Sequence, residues 1–332
     1  MGIQRSKRYW IGFDLGGTKM MAALFDDKLH KRSVVRKKTR AQEGSAAGIR
    51  RMGDMIETVL EEGGVSRRML GGIGVGCPGP LDLKQGVLLE AANLGWRKVP
   101  LRQALERRFH RPVTVMNDVD AGVYGEYRCG AARKSRCVVG VFPGTGIGGG
   151  CVYEGRIITG ARSTCFEIGH CPVVPEGALC GCGRRGCLET VASRLAIAAA
   201  AVEAAYRGHA PHLMALCGTD LAAVRSSALA ESIRRGDKAI ESIVRRAAQW
   251  LGVGISTAVN LMAPDTVLLG GGLVEAMPAL YREEVEQSTR QHLMDALVKS
   301  FKVVVARLGD DAGVTGAASW AMEQSSRSGE HR

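Results

Sequence analysis

The chain has 332 residues, 45% hydrophobic and 23% charged, with 44 glycines and a formal net charge of +12. This composition excludes disorder, a collagen-like repeat and a disulfide mini-scaffold, and the length suits two domains or one large one. No apolar run approaches the ~20 residues of a membrane-spanning helix, and the positive charge favours anionic ligands without by itself indicating nucleic acid.

Residues 1–7 are polar and contain no apolar signal core, which reads as a cytoplasmic protein. Trp10–Asp14 and Met20–Phe25 read as strands joined by the glycine turn Leu15-Gly-Gly-Thr-Lys19. Ser33–Thr39 reads as a third strand. Ala46–Glu62 carries apolar residues at helical spacing and stops at Gly63-Gly64. Gly71–Gly76 is a small-residue strand, and Cys77-Pro-Gly-Pro80 forces a turn. A helix over Val99–Phe109, a strand over Pro112–Met116 and a helix over Val119–Arg128 follow. Arg136–Phe142, a Pro143–Gly146 turn and Gly149–Tyr153 repeat the strand, turn, strand opening, which suggests two lobes of like topology. Val191–Met262 is mostly helical. Thr266–Leu269 and Lys302–Ala306 read as strands, and Leu280–Lys299 and Ala312–Gln324 as helices. The expected organisation is an N-terminal α/β lobe (1–117) that recruits a closing helix (311–324). A C-terminal α/β lobe (118–310) carries a cysteine-rich loop, and a disordered tail (325–332) follows.

Three glycine turns follow strands: Asp14–Lys19, Gly144–Gly150 and Gly270–Gly272. Glycine brings backbone N–H groups close to phosphate oxygens and supplies positive φ for an anion nest. Thr18 and Thr145 add hydroxyl donors, and Asp14 is placed to hold Mg²⁺ through water. Two segments satisfy the dinucleotide fingerprint on paper, Gly74–Gly79 and Gly144–Gly149. That fingerprint needs a helix directly after the strand. Pro78 and Pro80 disfavour one after the first, and the strand Gly149–Tyr153 disfavours one after the second.

Cys180, Cys182 and Cys187 lie within eight residues among glycines, with His170 ten residues upstream. Three thiolates and one imidazole complete a tetrahedral zinc site with no open position, so its role is structural. Asn117-Asp118 follows a strand, where open α/β sheets place ligands. Asp118 suits either a base that accepts a substrate hydroxyl proton or the cap of the next helix. Glu167 and Glu189 flank the metal loop.

Together these segments resemble the ROK family of sugar kinases and repressors, from about residue 9 to 320. The matching motifs are Asp14-Leu-Gly-Gly-Thr-Lys19, Pro78-Gly-Pro80, Ala92-Asn-Leu-Gly-Trp96, Asn117-Asp118, Gly144-Thr-Gly146 and Glu167-Ile-Gly-His170. Cys180–Glu189, Leu269–Gly272 and Gly309–Gly313 complete the set. The resemblance implies a two-lobed, actin-like (ribonuclease H-like) fold and an ATP-dependent hexose kinase, most like the glucokinase branch. It implies Asp118 as catalytic base, with Asn93, Asn117, Glu167, His170 and Glu189 on the sugar. Asp14, Gly16, Gly17, Thr18, Lys19, Gly144, Thr145, Gly146, Gly271 and Gly272 would serve ATP, with Mg²⁺. His170 would hold structural Zn²⁺ through one ring nitrogen and touch sugar through the other. A homodimer is implied as well, with no nucleic-acid or membrane partner. Other readings are a kinase for mannose, fructose, allose, N-acetylmannosamine or N-acetylglucosamine, with ATP or polyphosphate as donor, or a sugar-responsive repressor. Repressors of the family carry an added N-terminal helix-turn-helix, and only about eight residues precede the first strand here. Most members have Gly where this chain has Phe166, which bears on which sugar fits.

Overall fold

A computed structural model describes residues 8–161 and 165–330. The chain divides into two compact units. The first comprises the chain up to Lys134, Arg156–Cys165 and the segment from Asp310 on; the second comprises Ser135–Gly155 and Phe166–Gly309.

In the first unit, β1 (Tyr9–Leu15), β2 (Lys19–Asp26), β3 (Lys31–Lys38), β4 (Leu70–Cys77) and β8 (Val113–Asn117) form a sheet in the order β3-β2-β1-β4-β8. The pairs β1–β2 and β2–β3 are antiparallel, and β1–β4 and β4–β8 are parallel. β1 is apolar and buried nearly throughout rather than alternating, as a strand covered on both faces must be. Met52, Met55, Ile56 and Val59 of α1 (Gly44–Glu62) join Phe13, Leu15 and Ile73 in one core. Leu101, Leu105 and Phe109 of α2 (Leu101–Phe109) belong to the same core. On the other face Trp10, Met21 and Ala23 pack with Val314, Ala318 and Ala321 of the last helix. Gly12 and Gly74 make that contact possible. A Cβ on Gly12 would lie 1.8 Å from the Val314 carbonyl oxygen, and one on Gly74 would lie 1.9 Å from that of Ala317.

A second sheet of this unit, β5 (Leu81–Asp82), β6 (Val87–Ala91) and β7 (Trp96–Val99), was not expected from the sequence. These strands are too short to show a period. The expected boundary at 117/118 also shifts. The helix α3 (Asp118–Cys129) belongs to the first unit because it packs on the last helix, α11 (Asp311–Glu330). Tyr124 meets Trp320 edge-on at 5.2 Å, Arg128 pairs with Glu323, and a Cβ on Gly316 would lie 1.7 Å from the Ala121 oxygen. Helix continues through Glu330 where a disordered tail was expected from 325; residues 1–7 and 331–332 lie outside the described residues.

In the second unit β9 (Cys137–Pro143) and β10 (Ile147–Tyr153) form an antiparallel hairpin; the two-residue β11 (Arg156–Ile157), next in the chain, falls among the residues of the first unit. β12 (Thr266–Leu269) and β13 (Lys302–Val305) add in parallel, giving β10-β9-β12-β13. This repeats β2-β1-β4-β8, so the echo seen in the sequence is an echo of topology. The helices are α4 (Glu189–Ala192), α5 (Arg194–Tyr206), α6 (Pro211–Cys217), α7 (Ser226–Arg234), α8 (Lys238–Met262), α9 (Gly272–Ala276) and α10 (Pro278–Gln291). α10 ends eight residues before the expected Lys299; a short 3₁₀ turn, Asp295–Leu297, follows it.

Candidate functional site

In the first unit the candidate residues Asp14, Asn117 and Asp118 stand at the carboxyl ends of β1 and β8. Asp14, the half-buried residue just before the buried Leu15 that ends β1, is in register with Gly76, whose position lies beside the Asp118 backbone. Burial pushes the Asp14 carboxyl from 3.8 up to about 7, with repulsion from Asp118 and Asp310 adding to it and Lys19 opposing. Gly313, in the first turn of α11, leaves room for that carboxylate: a Cβ there would sit 3.4 Å from Asp14 Cγ. The cap of α3 is Asn117, whose Oδ1 accepts from Val119 N at 2.8 Å and Asp120 N at 3.2 Å. Asp118 Oδ1 lies 2.9 Å from Val119 N. Of the two roles open to Asp118 in the sequence, capping therefore falls mainly to its neighbour.

The first glycine turn closes with Gly16 N donating to Lys19 O at 3.0 Å. Gly16 and Gly17 do not adopt the positive φ expected of them. Their lack of a side chain matters for space instead. A Cβ on Gly17 would lie 2.8 Å from Asn93 Nδ2, so the turn and Asn93 are in contact. Thr18 and Lys19 are exposed, and Lys19 Nζ donates to Asp310 at 2.7 Å.

In the second unit the Gly144–Gly146 turn, Glu189, Gly271 and the cysteine loop come together. Gly144 N donates to Gly146 O at 2.8 Å, and again neither glycine has positive φ. A Cβ on Gly146 would lie 2.3 Å from Glu189 Oε2, which accepts from Ile147 N at 2.9 Å. Gly271, at φ 83, does need to be glycine; it caps α9, and a Cβ there would lie 2.8 Å from Pro143 O. Sequence reading missed Arg194. Its Nη2 donates to Thr145 Oγ1 at 2.7 Å and its backbone N to Gly144 O at 2.8 Å, which places a guanidinium beside the exposed turn. Its signal was weak: an arginine directly after Ser193, the cap of α5.

The ligand atoms of His170, Cys180, Cys182 and Cys187 all lie within 4.8 Å of one another. A tetrahedron with Zn–S bonds of about 2.3 Å has S···S edges of about 3.8 Å. Cys182 and Cys187 sulfurs are 3.7 Å apart, and Cys180 Sγ is 3.6 Å from His170 Nδ1. The donor set therefore fits zinc, with all four positions filled by protein. Burial pushes the Cys187 thiol up to about 12 and raises Cys180; the Arg184 backbone N–H lowers Cys182. The turn is made by Gly183 N donating to Cys180 O and by Gly186 at φ 74, where a Cβ would strike Val174 O. Because Nδ1 faces the sulfurs, Nε2 is the ring nitrogen left for another partner. Glu167 is exposed, three residues before the exposed His170. Phe166 sits at φ 57, a left-handed conformation rare for a bulky residue, and its carbonyl oxygen would lie 2.4 Å from a Cβ on Gly149. Cys165 and Cys171 stand outside the four-ligand group.

The profile of the ROK family matches residues 10–324. The chain belongs to the ROK family. A glucokinase of Halalkalibacterium halodurans is 32% identical over 324 residues, 97% of this chain and 97% of that protein. A glucokinase of Thermotoga maritima is 34% identical, over 93% of this chain and 96% of its own. The crystal structure of a ROK family glucokinase from Streptomyces griseus in complex with glucose and AMPPNP superposes with a TM-score of 0.81 at 31% identity. It covers 95% of this chain and 99% of that one. The paired sheets are those of the actin-like ATPase fold, and within the family the chain is most like the glucokinases.

Proposed function

We propose that the protein is an ATP-dependent glucokinase that transfers the γ-phosphoryl group of ATP to the 6-hydroxyl of glucose. The observation that carries this reading is the likeness, along almost the whole chain, to a glucokinase solved with glucose and an ATP analogue. Asp118 is the base. It takes the proton of the 6-hydroxyl as the new P–O bond forms and the bond to the ADP oxygen breaks. Asn93, Asn117, Glu167, His170 and Glu189 bind sugar hydroxyls. Gly16, Gly17, Thr18, Lys19, Gly144, Thr145 and Gly146 serve the phosphates, joined by Arg194 through Thr145, and Gly271 and Gly272 lie at the adenosine.

Asp14 suits Mg²⁺, since a cation would oppose the burial and the repulsion from Asp118 that together raise its carboxyl. When bound it neutralises charge on the phosphates. His170, Cys180, Cys182 and Cys187 would hold zinc, which fixes the loop carrying Glu189 and leaves His170 Nε2 oriented toward sugar. A homodimer in the cytoplasm completes the reading, and sedimentation of the purified protein tests the dimer. The deciding experiment is a panel of hexoses with ATP, read as ADP release. Glucose should give the highest kcat/KM, with the phosphate on the 6-oxygen. No phosphorylation of any hexose would overturn the reading. One observation favours a second acceptor, because Phe166 puts a bulky residue on left-handed backbone directly before Glu167. Higher kcat/KM for mannose or an N-acetylated hexosamine than for glucose would select that acceptor.

A further inference from the structure

Helices α8 and α10 touch through small residues, and the groove above that contact is lined by groups without partners. A Cβ on Gly252 would lie 2.6 Å from Ser288 Cβ. Ser288 Oγ donates to Gln249 O at 2.7 Å, and Thr289 Oγ1 donates to Gly252 O at 3.3 Å. These contacts make a fixed floor. Above it lies a cavity of about 270 Å³, walled by Trp250 and Val253 from α8 and by Gln287 and Gln291 from α10, with His292 just beyond α10. It adjoins a second space of about 430 Å³, and Arg246 and Gln249 line both. The lining side chains of α8 run from Lys238 to Val253, so at about 1.5 Å per residue the groove is about 22 Å long.

The charges of the groove are nearly all satisfied. Glu284 takes Arg245 at 2.6 Å and Gln249 Nε2 at 2.8 Å, and Glu241 takes Lys238 at 2.9 Å and Arg245 at 3.0 Å. No carboxylate is left over for a cation, and the one uncommitted guanidinium, Arg246, is too little charge for a polyanion. The other uncommitted groups are neutral. Among the described residues, the Trp250 indole N–H and the side-chain amides of Gln287 and Gln291 make no hydrogen bond. His292 Nδ1 lies 2.7 Å from the Ser288 carbonyl oxygen, which can only accept, so in the neutral ring Nε2 is an acceptor. One donor, one acceptor and two amides that do both match hydroxyl groups, which also donate and accept. Trp250 is half-buried, with Gln287, Gln291 and His292 exposed around it. An indole face with a polar rim suits a ligand with an apolar C–H face and a rim of hydroxyls, which is the form of a pyranose ring.

We propose that the groove between α8 and α10 is a carbohydrate-binding site for a neutral, linear oligosaccharide. One sugar ring lies on the Trp250 indole, and Gln287, Gln291 and His292 Nε2 take its hydroxyls. The following rings run along α8 past Gln249 and Arg246. None of these residues is among those assigned to ATP or hexose, and binding involves no covalent step, so the ligand of the groove is independent of the kinase reading.

The test is calorimetric titration of the full chain with maltoheptaose and with cellohexaose, without ATP, in the absence and presence of glucose. At least one probe should bind under both conditions. Trp250→Ala should weaken binding about tenfold or more, and Q287A/Q291A about fivefold or more. Lys302→Ala, at an exposed position of β13, should change it less than about twofold. Q287A/Q291A alters exposed side chains only, so it decides the matter if Trp250→Ala disturbs folding. No binding of either probe, an equal loss in Lys302→Ala, or tighter binding of AMP at the same residues would overturn the proposal. Binding that glucose abolishes and Trp250→Ala leaves intact would place the oligosaccharide at the hexose site and overturn it as well. A smaller sedimentation coefficient for Trp250→Ala, with no oligosaccharide bound by the wild type, would make this face a contact between copies instead. Failure of the wild type to phosphorylate glucose with ATP would sink the kinase reading, while the calorimetry still decides the groove.

Discussion

At the scale of single residues, Asn117 and Asp118 divide the work that their position at a strand end invites. Asn117 commits its amide oxygen to the backbone of Val119 and Asp120. Asn117→Ala should therefore cost about 1 kcal/mol of stability, measured by urea unfolding. Asp118→Asn should leave the unfolding midpoint in place and lower kcat by about 10²–10⁴ if Asp118 is the base. Asp14 gives a pH signature. Its folded carboxyl titrates at about 7 against 3.8 unfolded, so the fold disfavours the charged form. No penalty exists below the unfolded value; it grows as pH rises from 3.8 to about 7 and is constant above. Asp14→Asn should thus match the wild type in stability at pH 4 and exceed it at pH 8, by at most about 4 kcal/mol. Equal urea midpoints at pH 8 would remove this account. Phe166→Gly should relieve backbone strain and stabilise the protein by about 1 kcal/mol, with a changed ranking of sugars in the hexose panel.

At the scale of elements, the cysteine loop was the most legible part of the sequence. Four ligands with compressed spacing and glycines between them leave few alternatives, and the structure gathers the same four atoms. The glycine turns were legible in position but not in reason. Gly17 and Gly146 are small because Asn93 and Glu189 press on them, and such neighbours are 76 and 43 residues away in the chain. The β5–β7 sheet left no readable signal, since strands of two to five residues carry too little periodicity. Arg194 was missed for the same kind of reason, as its contact with Thr145 spans 49 residues. Because Glu189 links the cysteine loop to Ile147 N, disturbing the loop should be felt at the sugar. Purified protein should contain one zinc per chain, and Cys187→Ser should raise the KM for glucose about tenfold or more while moving the KM for ATP less. Full activity after complete zinc removal would contradict this.

At the scale of the whole molecule, the two-part organisation was readable because strand, glycine turn and strand occur twice. The boundary was not. A helix that follows a strand can pack on either side of a division, and the contacts of α3 with α11 decide it. Those contacts, with Gly12 and Gly74 against the same helix, make the first unit discontinuous in the chain.

That discontinuity has a consequence for biosynthesis. A nascent polypeptide emerging from the ribosome exposes the apolar face of its first sheet, Trp10 and Met21 included, until Asp311–Glu330 is translated. A chain terminated at Gly309 should be protease-sensitive between residues 8 and 134 while its remaining unit resists digestion, and a separately supplied peptide of residues 310–330 should restore resistance.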